Sequence, residues 1–81
     1  MKKIKLKSES KRQIEIMRGN LKFLRAVNNL TIKKLSELSE IGEITLTEME
    51  NGEDFDVGYL IRLCGIYRIS PYEIFCELEE D

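Results

Sequence analysis

The spacing of helix signals between residues 31 and 52 constrains this chain more than any other feature. Thr31 can cap a short segment whose inward residues are Leu35 and Leu38, with Lys33, Lys34, Ser36 and Glu37 outside. Residues 39–42 leave room only for a tight connection. Residues 43–50 then place Leu46 and Met49 on one face, and Asn51-Gly52 is expected to stop the helix in the left-handed conformation that Asn and Gly accept most cheaply. Two short rods crossing over a shared apolar seam form a helix-turn-helix.

The flanks read as helices too. Ser10 followed by Gln13 fits a capping box opening a helix through Ile14 and Met17, and Gly19-Asn20 predicts a break in it. Leu21, Leu24, Val27 and nearby Phe23 make an apolar stripe that ends at the turn-favouring Asn28-Asn29. Asp56 is an N-cap for a helix carrying Leu60, Leu63, Cys64 and Tyr67, in which Gly65 costs about 1 kcal/mol relative to Ala. Ser70-Pro71-Tyr72-Glu73 joins an N-cap, a first-turn proline and a reciprocal Glu, predicting a fifth helix through Ile74, Phe75 and Leu78. Its last turn should fray, because Glu77, Glu79, Glu80 and Asp81 meet the negative end of the dipole. Residues 3–7 alternate charged and apolar like a strand, but one strand makes no sheet, so they are read as an arm. The expected core is Leu21, Leu24, Val27, Leu35, Leu38, Ile41, Leu46, Met49, Leu60, Leu63, Ile74 and Phe75.

Eighty-one residues support one core, organised as a basic arm over 1–12, a helical domain over 13–78 and an acidic tail over 79–81. The basic start at Met1 to Lys7 is followed by Ser8, Glu9, Ser10, Lys11 and Arg12 where a leader needs an apolar stretch, so no export is expected. No window approaches the ~20 apolar residues of a bilayer span, and a cytoplasmic protein is expected. Cys64 and Cys76, twelve apart in a chain without histidine, match no zinc or redox spacing and read as small apolar residues, a disulfide being the lesser alternative. No metal or cofactor is expected. General acid-base chemistry usually needs histidine or a pocketed carboxylate, so the chain reads as no enzyme. Asp54 and Asp56 near Gly58 lack the remaining ligands of a calcium loop.

Charge is sharply segregated. Residues 1–34 hold eleven Lys or Arg against Glu9 and Glu15, a net of +9, whereas residues 35–61 hold eight acids and no base. The small overall charge of −2 conceals this division.

Five segments in order resemble the Cro/repressor-type, xenobiotic-response-element-like helix-turn-helix family. Asn20-Leu21-Lys22-Phe23-Leu24-Arg25 is similar to the family's first helix, and Asn29-Leu30-Thr31 to the approach to its second. Leu35-Ser36-Glu37-Leu38-Ser39, Thr45-Leu46-Thr47-Glu48-Met49-Glu50-Asn51-Gly52 and Ile69-Ser70-Pro71-Tyr72-Glu73-Ile74-Phe75 resemble three later signatures. The resemblance covers residues 20–75 and implies an all-α, compact five-helix bundle of the lambda-repressor-like DNA-binding kind. It also implies a transcriptional regulator of bacterial or phage type, acting on double-stranded DNA as a homodimer.

Carried over, the candidate DNA-binding residues are Lys33, Gly42, Glu43, Ile44, Thr45, Thr47 and Glu48, with the third helix in the major groove. Glu43 could accept from cytosine N4, Ile44 touch a thymine methyl, and Thr45 or Thr47 bond a base. Lys2, Lys3, Lys5, Lys7, Lys11 and Arg12 form the basic arm that could follow the backbone or enter a minor groove. The bland reading of that arm is a solvated tail, and of the threonines that they cap or solvate their helix. The sequence departs from the family where it matters. Ile32 replaces a usual glutamine, Gly42 a serine, Glu43 and Glu48 basic or amide residues, and the loop after Gly52 is acidic. These charge departures run against DNA, since like charges about 4 Å apart repel by roughly 1 kcal/mol even in water. The alternative function is therefore the same fold reused as an acidic protein-interaction module, an antirepressor or DNA mimic recognised by a basic partner. Its bland counterpart is a set of glutamates serving solubility alone.

Overall fold

The computed structural model describes residues 3–4, 11–52 and 54–77. Among these, four α-helices carry the fold: α1 (Lys11–Val27), α2 (Ile32–Ser39), α3 (Glu43–Asn51) and α4 (Val57–Tyr67). Two short strands, β1 (Lys3–Ile4) and β2 (Phe55–Asp56), pair antiparallel, and a single 3-10 turn occupies Glu73–Phe75.

The expected break at Gly19-Asn20 does not occur. Helix α1 runs through it for 17 residues, burying Ile14, Met17 and Leu21 along one face. An interior glycine costs about 1 kcal/mol against alanine. Burying a side chain such as Met17 or Leu21 gains about 1.5–3 kcal/mol, which outweighs it. Asn20 has its own reason to be helical: its side-chain Nδ2 donates to the Ile74 and Cys76 carbonyls, each at 2.8 Å. The Ser10 cap expected for this helix lies outside the described residues. At its other end Asn29 takes φ 56, as a turn-favouring pair should.

Helix α2 starts where Thr31 accepts from the Lys34 N–H at 3.0 Å. It ends at Glu40, which is left-handed at φ 60 and donates its N–H to the Ser36 carbonyl. Three residues, 40–42, connect α2 to α3, and Ile41 among them is buried. Ser36 Oγ donates to the Ile41 carbonyl at 2.6 Å and the Ile41 N–H donates to Ser39 Oγ at 3.2 Å, so the α2 side chains hold the connection from both sides. Gly52 does not end α3 in the left-handed region. Its φ is −83 and ψ −177, and its N–H donates to the Glu48 carbonyl. Glycine is needed here for close approach, since a Cβ would stand 2.7 Å from Glu48 O.

Asp56 caps α4 as expected, accepting from the Gly58 and Tyr59 N–H groups at 2.9 and 3.2 Å. The fifth helix is not found. Ser70 and Glu73 do form the reciprocal box, at 3.1 and 3.2 Å, but only one 3-10 turn follows before Cys76 becomes extended. The physical cause is Asn20, whose bonds to the Ile74 and Cys76 carbonyls draw this segment across α1 as non-helical chain. Leu78 and the acidic end of the expected helix lie outside the described residues. The strand-like start also finds a partner: Lys3 pairs with Asp56 and Ile4 with Phe55.

The core gathers Ile14, Met17, Leu21, Leu35, Ile41, Leu46, Met49, Phe55, Leu60, Leu63, Cys64 and Ile74. Leu24 and Phe75 are half-buried against it. Val27 and Leu38 are exposed, contrary to the expectation that both face inward. In α2 the buried pair is Leu35 and Ser39, four apart, which rotates Leu38 off the seam. Cys64 and Cys76 are free thiols, and burial pushes the Cys64 pKa up. Among the described residues no helix is long and apolar enough to cross a membrane.

Candidate functional site

Helix α3 is held in the core on one side and open to solvent on the other. Leu46 and Met49 anchor it in the core. Arg18, on α1, donates from one guanidinium nitrogen to the Glu48 and Met49 carbonyls at 3.0 and 2.9 Å. A cation at the last carbonyls of a helix complements the dipole, and here it adds a second donor to the Glu48 carbonyl, which already accepts from Gly52. Glu50 turns inward rather than outward, because it follows Leu46 by four residues and shares its face. There it meets Arg25 in a bidentate pair, Nε to Oε2 at 2.8 Å and Nη2 to Oε1 at 3.0 Å, while Arg25 Nη1 donates to the Leu30 carbonyl at 3.1 Å. The Glu50 side chain is only 5% exposed. Its hydrogen bonds raise the Arg25 pKa against the opposing effect of burial. Tyr67 lies close enough to feel the pair, and burial first, then the Glu50 charge, pushes its pKa up to about 12.

The outer face of α3 is bare. Glu43, Ile44, Thr47 and Glu48 are exposed, Ile44 at 78%, and with Ile32 of α2 they line one shallow groove. The Thr47 hydroxyl donates to the Glu43 carbonyl at 2.9 Å, so its proton is committed inside the helix. Gly42 is the exposed N-cap and contributes no side-chain cap. Lys33 is exposed on α2, outside the groove lining. Thr45 departs from this set: it is half-buried and turns to a second hollow of about 540 Å³, shared with Glu48, Met49, Asp54, Phe55, Asp56 and Tyr59. The structure thus brings together Glu43, Ile44, Thr47 and Glu48 in one groove and leaves Thr45 outside it, in a hollow it shares with Glu48.

The basic arm is divided. The backbone of Lys3 is paired with Asp56, beside the acidic loop, and Lys11 and Arg12 belong to the first turn of α1. Arg12 reaches Glu77 at 3.2 Å in an exposed pair. Lys2, Lys5 and Lys7 lie outside the described residues. Sequence reasoning missed three groups that position the site, Arg18, Arg25 and Glu50. Only Glu50 carried a readable signal, its four-residue spacing from Leu46. Ile32, where the resembled family usually has glutamine, forms one wall of the groove.

Comparison with protein-family models, curated proteins and solved structures finds no match to this chain. Among the described residues no group of three or more His, Cys, Asp or Glu could hold a metal ion. The chemistry available at the groove is that of carboxylate acceptors around an apolar centre.

Proposed function

We propose that the protein is a helix-turn-helix transcriptional regulator of Cro/repressor type that binds double-stranded DNA, α2 and α3 being the two helices of the motif. One observation carries this reading: α3 is locked by Leu46, Met49, Arg18 and the Arg25–Glu50 pair, yet its opposite face is wholly free. A short helix mounted this rigidly, with no internal use for Glu43, Ile44 or Glu48, is suited to entering a major groove. Lys33 and Lys34 stand exposed on α2, where they can meet the phosphate backbone. A regulator of this type acts in the bacterial cytoplasm as a homodimer, its two copies on half-sites about 34 Å apart.

A second reading, an acidic protein-interaction module, is favoured by a different observation. Neither α3 nor β2 carries a single Lys or Arg, and the exposed charges of the groove are Glu43 and Glu48. Such a face complements a basic partner.

Titration against mixed duplex DNA fragments at ~50 mM and ~0.15 M salt separates the two. Under the regulator reading binding is measurable at the lower salt, falls steeply at the higher, and the Lys33→Glu variant binds more weakly with a shallower salt slope. Absence of binding at ~50 mM salt rejects the regulator and leaves the interaction module.

A further inference from the structure

We infer that the groove face of α3 reads its operator through acceptors and methyl contacts alone, so that the bases this face contacts are cytosine and thymine and its side chains touch no guanine. This inference rests on the DNA-binding reading above. The side chains lining the groove are Ile32, Glu43, Ile44, Thr47 and Glu48. Carboxylates at neutral pH only accept hydrogen bonds, and isoleucine does neither. Thr47 owns one proton, and that proton goes to the Glu43 carbonyl at 2.9 Å. What remains of its hydroxyl is acceptor capacity. Asn51, which does not line the groove, gives one of its two Nδ2 protons to the Thr47 carbonyl at 3.2 Å. The five side chains that line the groove therefore leave no donor facing it.

The four bases answer such a face differently. Guanine shows N7 and O6, two acceptors, to the major groove, and against a carboxylate both repel. Adenine offers its N6 amino group, but beside the N7 acceptor. Cytosine offers N4–H2 and no acceptor of its own, and thymine offers a C5-methyl group beside its O4. Glu43 and Glu48 consequently take cytosine amino groups, and Ile44, with Ile32 behind it, takes a thymine methyl. The same carboxylates penalise every site that cannot supply an amino group. An acidic reading face is thus a filter against most DNA as well as a contact to some of it.

The test is selection of the full-length chain on a randomised duplex library at ~50 mM salt, followed by titration of the enriched site and its base analogues. The expected site carries cytosine and thymine together on the strand facing α3. Replacing that thymine by uracil weakens binding roughly fourfold, the factor for one lost buried methyl, and has no effect on the Ile44→Ala variant. Glu43→Gln or Glu48→Gln, which adds a donor, lowers the preference for cytosine at one position by about tenfold, within the range of a single base contact. These three residues are exposed, so the variants keep the fold. The inference is overturned, with DNA binding intact, if the positions that respond to these variants demand guanine and lose affinity with 7-deazaguanine. It is also overturned if an enriched site responds to none of the three. Failure to retain any duplex rejects the regulator itself.

Discussion

Replacing Glu50 by alanine isolates the anchor that fixes α3 from inside. The carboxylate is 5% exposed and accepts two hydrogen bonds from Arg25, whose side chain is 25% exposed. Removing one partner of a buried pair costs about 3–5 kcal/mol, because the other charge is stranded. Arg25 keeps its bond to the Leu30 carbonyl and some contact with water, which places the cost of Glu50→Ala at the lower end, about 3 kcal/mol. At about 4–8 °C per kcal/mol for a domain of this size, Tm falls by roughly 12–24 °C. The double variant Arg25→Met with Glu50→Leu removes both charges and fills the space, and returns to within about 1 kcal/mol of the native protein. Arg12→Ala, which breaks an exposed pair, serves as the control and shifts stability by less than about 1 kcal/mol. Urea unfolding followed by circular dichroism measures all three variants. A loss below about 1 kcal/mol for Glu50→Ala, or a double variant no better than the single, would refute the claim that stranding Arg25 sets the cost.

Three further outcomes are expected. Gly19→Ala and Gly65→Ala each stabilise by about 0.5–1 kcal/mol in thermal melts, since both lie inside helices and a Cβ at either meets nothing within 4 Å. Gly52→Ala instead destabilises by about 1–3 kcal/mol, because the added Cβ collides with a backbone carbonyl that cannot yield. Tyr67 has no hydrogen-bond partner for its hydroxyl among the described residues, so Tyr67→Phe is neutral or stabilising in the same assay. Folding favours its neutral form. Its contribution is therefore unchanged below pH 10 and lost as pH rises from 10 to about 12, and ultraviolet titration of the folded protein shows a late tyrosine that Tyr67→Phe removes.

Local signals were legible wherever the controlling interaction is itself local. Thr31, Asp56 and the Ser70/Glu73 box each act within three residues, and each cap lies where the sequence places it. Gly52, which ends α3 without a left-handed residue, is the local exception, and the other misreadings have the opposite character. Gly19-Asn20 reads as a break because nothing nearby announces that Asn20 bonds residues 54 and 56 positions away. The same two bonds explain why a correct helix start at Ser70 produces one turn only. Residues 3–7 alternate like a strand, but β2, the partner of Lys3–Ile4, is two residues inside an acidic loop, too short for a periodic pattern. Leu38 fails as a core residue because a stripe read at spacings of three and four leaves its edge undetermined. Buried Ser39 settles that edge only in three dimensions. At the candidate site, the outward set Glu43, Ile44, Thr47 and Glu48 follows from Leu46 and Met49 facing in, whereas the rotation of Thr45 toward β2 depends on a hollow that no spacing encodes.

The Asn20 clasp governs how this protein can be made. During synthesis α1 emerges early, but its amide partners arrive only when residues 74 and 76 have left the ribosome, and Arg18 waits for residues 48 and 49. A chain cut after residue 70 would contain the residues of all four helices and still lack Ile74, which is fully buried in the core. Native packing around α1 therefore waits for residues 74–76.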